Sequence, residues 1–211
     1  MLIHRRFLLG LVAGQMAVLP FLAPRPARAD DAAAANDPRF APRTLGSDQA
    51  PIKVMEFFSL TCTHCAAFSR ETMPEVKAKL IETGKVQMIY RDFPLDRVAL
   101  MAAMVARTLP PERYEPFVSA LFASQDHWAF DRQSDPRDEL AKMAGLAGLS
   151  RAAFDAAIAD KALEQFILAG QQKAEDEYHV DSTPTFAANG RSHAGEMTFA
   201  AFSAFIGAEN G

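Results

Sequence analysis

Cys62 and Cys65 are the only cysteines in the 211 residues, and they stand three positions apart in "FFSLTCTHCAAF", residues 57 to 68. Such a pair is a redox centre, half of a metal site or a structural staple. A bridge across so short a loop removes little entropy from the unfolded chain compared with one that closes a long loop, so the staple reading fails. A structural zinc site asks for four ligands, usually from two paired motifs. Here the remaining candidates are His64 inside the motif and the scattered His127, His179 and His193, which leaves redox chemistry as the reading of the pair.

The N-terminus bears on this choice. His4, Arg5 and Arg6 precede an apolar run from Phe7 to Ala23, and Ala27-Arg28-Ala29 offers a small-x-small cleavage site before Asp30-Asp31. That is the pattern of a secretory signal, and the run is too short and too interrupted, by Gly14, Gln15 and Pro20, for a membrane span of about 20 apolar residues. With no cysteine at the cleavage site, lipid attachment there is excluded. Arg5-Arg6 fits both a twin-arginine signal and an ordinary basic n-region. An exported chain enters an oxidising compartment, where disulfide chemistry is at home.

Cleavage after Ala29 leaves 182 of 211 residues, enough to bury a core without staples. It removes four of 22 basic residues and none of 26 acidic ones, leaving 18 against 26, a net charge of −8. Such a surface, with no basic run, argues against nucleic acid as a partner. Residues 30 to 50, rich in Ala, Asp and Pro, have too little apolar content to fold alone.

The surroundings of the pair are informative. Ile52 to Phe58 ("IKVMEFF") is a nearly continuous apolar run after Pro51, which suits a strand buried on both faces of a mixed or parallel sheet. "AAFSRETMPEVKAKLIETG" then reads as helix, with Pro74 predicted to kink or divide it and Gly84 to end it. The order strand, cysteines, helix places Cys62 at a helix N-terminus, where free N–H groups and the positive dipole end favour a thiolate. Cys65 falls one turn further in and is the more buried.

A second strand follows at Val86 to Phe93, so a right-handed crossover is expected. The spacing then predicts helical stretches over Ala99 to Leu109, Glu115 to Phe130, Pro136 to Ala144 and Arg151 to Tyr178. In the last, Leu163, Phe166, Ile167, Gly170 and Ala174 recur at helical spacing and read as a core-facing stripe. "TFAANGRSHA" has two short runs joined by Asn189-Gly190, a strong hairpin signal. "TFAAFSAFIG" closes the chain as a helix capped by Thr198, with Phe199, Phe202, Phe205 and Ile206 on one side.

"KVMEFFSLTCTHC", "YRDFPL" and "VDSTPTFAANG", occurring in this order, resemble the DsbA-type thiol:disulfide oxidoreductases of the thioredoxin superfamily. The resemblance spans roughly Arg43 to Gly207 and implies an α/β fold, a thioredoxin fold with an inserted helical domain. Residues 1–29 are then the signal peptide and 30–42 a flexible arm. Residues 43–97 and 181–211 form the two parts of the thioredoxin-like domain, with the helical domain at 98–180 between them. The resemblance makes Cys62 the exposed nucleophile, Cys65 the resolving partner, and Thr63 and His64 the tuning dipeptide. It makes Glu56 a buried acid serving the second cysteine, Pro184 a cis-proline facing the active site, and Thr183 a residue presenting backbone groups to a bound peptide. Thr63 departs from the strongly oxidising members, which have proline there; threonine restores a backbone donor and adds a hydroxyl.

With the signal, the expectation is a periplasmic monomer with no cofactor and no metal. By the resemblance, it donates disulfides to exported proteins bearing cysteines and is reoxidised by a quinone-linked membrane oxidase. Two other readings stay open from the residues: a reductase or isomerase kept reduced by a membrane electron donor, and a peptide-binding chaperone in which the cysteines are incidental. The arm before Ala50 is too short for the separate dimerisation domain usual in related isomerases.

Overall fold

The computed structural model describes residues 37–208. The signal segment 1–29, its cleavage site and residues 30–36 of the arm lie outside the described residues. Five strands form one mixed sheet in the order β1-β3-β2-β4-β5: β1 Arg43–Leu45, β2 Ile52–Phe58, β3 Val86–Asp92, β4 Thr185–Ala188 and β5 Arg191–Ala194. β2 and β3 are parallel, with Glu56 opposite Tyr90, and the other pairings are antiparallel. The β4–β5 turn holds Asn189 at φ 52° and Gly190 at φ 71°. Both are left-handed, as a two-residue turn matched to strand twist requires, which is why Asn-Gly stands there.

The crossover from β2 to β3 is a helix over 63–81, α1. It is not divided at Pro74. Regular turns at Thr63–Ala67 and Met73–Val76 alternate with wider π-type turns at Phe68–Thr72 and Lys77–Ile81. Met73 N–H reaches back five residues to the Phe68 carbonyl, and this widening lets the helix pass a residue that can neither donate nor tolerate a tight preceding turn. The turn that follows ends at Gly84, φ 75°.

Between β3 and β4 lie six helices: α2 Arg97–Thr108, α3 Pro111–Ala123, α4 Gln125–Trp128, α5 Pro136–Leu146, α6 Arg151–Ala159 and α7 Lys161–Tyr178. After the hairpin comes α8, Phe199–Ile206, capped by the Thr198 hydroxyl on Ala201 N–H. This is the sheet with an inserted helical block that the resemblance implied. Two helical stretches divide where the sequence suggested continuity. Glu115 to Phe130 breaks at Ser124, and the first of its helices begins earlier, with Pro111 in its first turn. Arg151 to Tyr178 breaks at Asp160, whose extended backbone and carboxylate cap α7 through Ala162 and Leu163 N–H.

The main core joins α1, α8 and one face of the sheet to the insert, through Phe58, Phe68, Phe122, Phe186, Phe202 and Trp128 among others. Burying a Phe side chain stabilises by roughly 1.5–3 kcal/mol, so this cluster carries much of the fold. On the other sheet face α7 packs Ala174 near Phe57, Phe93, Val180 and Ala187. The predicted stripe on α7 is only partly core: Leu163, Ile167 and Ala174 are buried, whereas Phe166 and Gly170 are exposed. β1, unforeseen as a strand, pairs along β3. Its buried Arg43 donates to the Arg107 carbonyl at 2.7 Å, and Arg107 in turn pairs with Asp92 and donates to the Arg39 and Ala41 carbonyls. From residue 37 onward the arm is therefore docked, by partners elsewhere rather than by a core of its own.

Candidate functional site

Cys62 is the N-cap of α1, with extended backbone (φ −81°, ψ 120°) and its carbonyl accepting from Ala66 N–H at 3.1 Å. The loop that delivers it from β2 is held on several sides. Ser59 Oγ meets Thr61 Oγ1 and accepts from Leu95 N–H, and the Thr61 hydroxyl donates to Asp96 Oδ2 at 2.6 Å. Gln125 of α4, itself buried, donates from Nε2 to the carbonyls of Leu60 (2.8 Å) and Cys62 (3.1 Å). A one-turn helix of the insert thus fixes the backbone beneath the cysteine.

The sulfurs are both thiols and both buried: Cys62, expected to be exposed, is 8% accessible beneath the Thr183 loop, Cys65 is 0%, and Thr63 and His64 between them are exposed. The Cys62 pKa is lowered to about 5, chiefly by hydrogen bonding from the Cys65 thiol. Partial burial opposes this, and the Thr183 side chain and the N–H groups of Cys65 and His64 add to it. The Cys62 thiol donates to the Thr183 carbonyl at 3.1 Å, an acceptor only the protonated sulfur can use. The Thr183 hydroxyl is buried without a hydrogen-bond partner, free to turn toward the anion. Cys65 goes the other way: burial, its bond to Cys62 and the charges of Cys62 and Glu56 raise its pKa well above that of a free thiol.

Glu56, mid-strand in β2, is 4% exposed, and burial raises its carboxyl to about 8. A narrow cleft of about 10 Å³, room for about one water, is lined by Glu56, Tyr90, Ser119 and Glu115. The Thr183–Pro184 peptide is cis, and Thr183 stands against Cys62 from the loop before β4. Sequence reasoning had not singled out Glu196, whose Oε2 lies 2.7 Å from His64 Nδ1 and raises the imidazole pKa, first by that hydrogen bond and then by its charge. Nor had it found Gln125 or Asp96. All three come from segments that only the fold brings to the pair. Among the described residues no three His, Cys, Asp or Glu side chains gather as a metal-binding group, and no helix is long and apolar enough to cross a membrane.

Residues 40–208 match the sequence profile of the family described as thioredoxin. The crystal structure of alpha-DsbA1 from Wolbachia pipientis is similar in fold and sequence, with a TM-score of 0.74 and 32% identity over 89% of this chain and 92% of that one. The protein of Rickettsia conorii named protein-disulfide oxidoreductase is 27% identical over 147 residues, 69% of this chain and 52% of its own length. The thiol:disulfide interchange protein DsbA of Bordetella parapertussis is 29% identical over 145 residues, 66% of this chain and 64% of its own. The chain spans about half the length of the rickettsial relatives it matches.

Proposed function

Because the chain belongs to the thioredoxin family, in its DsbA-like group, we propose that it is a thiol:disulfide oxidoreductase that donates the Cys62–Cys65 disulfide to cysteines of exported proteins. The observation that carries this reading is the opposition of the two sulfurs: one at a helix N-terminus with its pKa near 5, the other sealed and held protonated. A substrate thiolate attacks Cys62 Sγ of the oxidised pair, the Cys62–Cys65 bond breaks, and the electron pair leaves on Cys65. Glu56, neutral at pH 7 because its pKa is about 8, gives its proton to that buried leaving thiolate and regains one through the cleft beside Glu115. A second substrate thiolate then attacks the substrate sulfur of the mixed disulfide, and Cys62 leaves as a stabilised thiolate. The substrate emerges oxidised and the pair reduced.

In this scheme Thr183 and Pro184 present the peptide-facing wall, Thr63 and His64 border the sulfur, and Glu196 orients His64. The N-terminal signal, cleaved after Ala29, takes the chain to the periplasm. There it works as a monomer and a quinone-linked membrane oxidase restores the disulfide. The direction of transfer is tested by equilibrating the pair with glutathione and assaying oxidation of a reduced, unfolded substrate. The expected potential lies well above the roughly −270 mV of thioredoxin, with substrate oxidation lost in Cys62→Ser. A potential at or below that value reverses the direction and makes the protein a reductase.

A further inference from the structure

On the sheet face opposite the main core, α7 leaves a cleft of about 120 Å³ against β3 that the chemistry above does not use. Its walls are aromatic. Phe57 and Tyr178 have ring centroids 5.3 Å apart, and Phe166 lies with its centroid 5.0 Å from the Arg107 guanidinium carbon. Three cations border the same space: Arg91, Arg107 and Lys173. Arg107 is 4% exposed; its Nε is given to Asp92 and its Nη1 to two backbone carbonyls, leaving Nη2 without a partner among the described residues. Arg91, exposed on β3, has no ion pair or side-chain hydrogen bond among them either, and Lys173 has only Glu177 at 3.7 Å. The one acid lining the cleft, Asp92, is already engaged by Arg107 and by the Tyr114 hydroxyl at 3.1 Å. This concentration of positive charge stands in a chain whose formal net charge is −4.

Gly170 is the second observation. It lies in the interior of α7, lines the cleft and does not have a left-handed backbone, and a Cβ built on it meets nothing within 4 Å. Glycine is among the least favourable residues inside a helix. Neither close packing nor backbone conformation calls for it here, and it leaves that part of the cleft rim without a side chain.

We propose that this cleft binds a small aromatic carboxylate, its ring among Phe57, Phe166 and Tyr178 and its carboxylate on Arg91, Arg107 and Lys173. The volume approaches that of the apolar cavity of about 150 Å³ that takes up benzene. The free Nη2 of Arg107 can donate one charge-assisted hydrogen bond to a carboxylate oxygen, with Arg91 and Lys173 beside it. A bare phosphate leaves the aromatic walls wet, and a neutral ring leaves Arg91 without an ion pair.

The test is titration of the full chain with benzoate, followed by calorimetry and amide NMR shifts, with acetate, benzyl alcohol and inorganic phosphate as separate probes. Benzoate is expected to bind saturably, at least about tenfold more tightly than any of the three, and to shift amides of α7 and β3. Gly170→Leu, which fills the mouth, and Arg91→Gln each weaken it about tenfold or more, whereas Gly170→Ala keeps it within about threefold. All three variants keep the circular dichroism and disulfide-exchange rate of the parent. Because Arg91 is exposed and unpaired, its variant tests the site even if leucine at 170 disturbs α7. Lack of saturation, phosphate binding as tight as benzoate, or unchanged benzoate affinity in a folded Gly170→Leu or Arg91→Gln protein overturns the proposal.

Discussion

At Cys62 the sulfur sits where a thiolate is favoured and a reagent can just reach it, while three residues on, Cys65 has neither property. Alkylation of the reduced protein should therefore modify Cys62 with a rate that rises through a midpoint near pH 5, set by its pKa of about 5, and should spare Cys65. Mass mapping after a pH series checks this, and modification of Cys65 first reverses the two roles. Glu56 makes an equally specific demand. Its carboxyl, at about 8 against an ordinary 4.5, binds more protons folded than unfolded between those values, so stability falls as pH rises through that window. Glu56→Gln should be more stable than the parent by roughly 1–3 kcal/mol at pH 7, close to it near pH 4.5, and slower in the step that protonates Cys65. Chemical denaturation at the two pH values and stopped-flow kinetics read these effects. The two cysteines and the buried acid were legible in the sequence because spacing and apolar neighbours are local properties. Glu196 was not, since its contact with His64 spans 132 positions and nothing around it marks a partner.

Among the elements, α4 has a consequence out of proportion to its four residues, Gln125–Trp128. Gln125→Ala removes a buried donor and strands the Leu60 carbonyl it serves. The expected loss is about 1–3 kcal/mol, together with a rise in the Cys62 pKa as the loop loosens. Thermal unfolding and the pH series for alkylation measure the two effects, and a stability change without a pKa change limits Gln125 to packing. The strands β2 and β3, the Asn-Gly hairpin and α8 were legible because each carries its period and its turn or cap within about ten residues. The break at Asp160 was hidden in a run rich in alanine, where one capping carboxylate is the only signal. β1 was hidden because three residues cannot show a period, and its strand character comes from the partner beside it. Pro74 misled for a related reason: the residue argues for a break, and only the wider turns on either side of it let the helix continue.

For the molecule as a whole, the lowered pKa of Cys62 couples redox state to stability. The sign follows from the depressed value: the stabilisation of the reduced form is complete above the unfolded thiol pKa of about 9 and is lost as pH falls through about 5. At pH 7 two of those units remain, at most about 3 kcal/mol before solvent screening at the partly accessible sulfur is allowed for. That corresponds to a potential raised by up to about 60 mV. The reduced protein should unfold later than the oxidised one at pH 7, with the gap narrowing toward pH 5. Paired calorimetric scans decide it, and an oxidised form that is the more stable throughout ends the case for disulfide donation. The wall that helps set this pKa comes from far along the chain: Thr183 meets Cys62 across 121 positions. A ribosome adding about 5–20 residues per second finishes Thr183 roughly 6–24 seconds after Cys62. During that interval the nascent cysteines lack the Thr183 wall, one of the groups that lowers the Cys62 pKa. The cysteine motif is therefore complete well before the last segment that tunes it, and copies truncated before Thr183 should carry the motif with a higher Cys62 pKa.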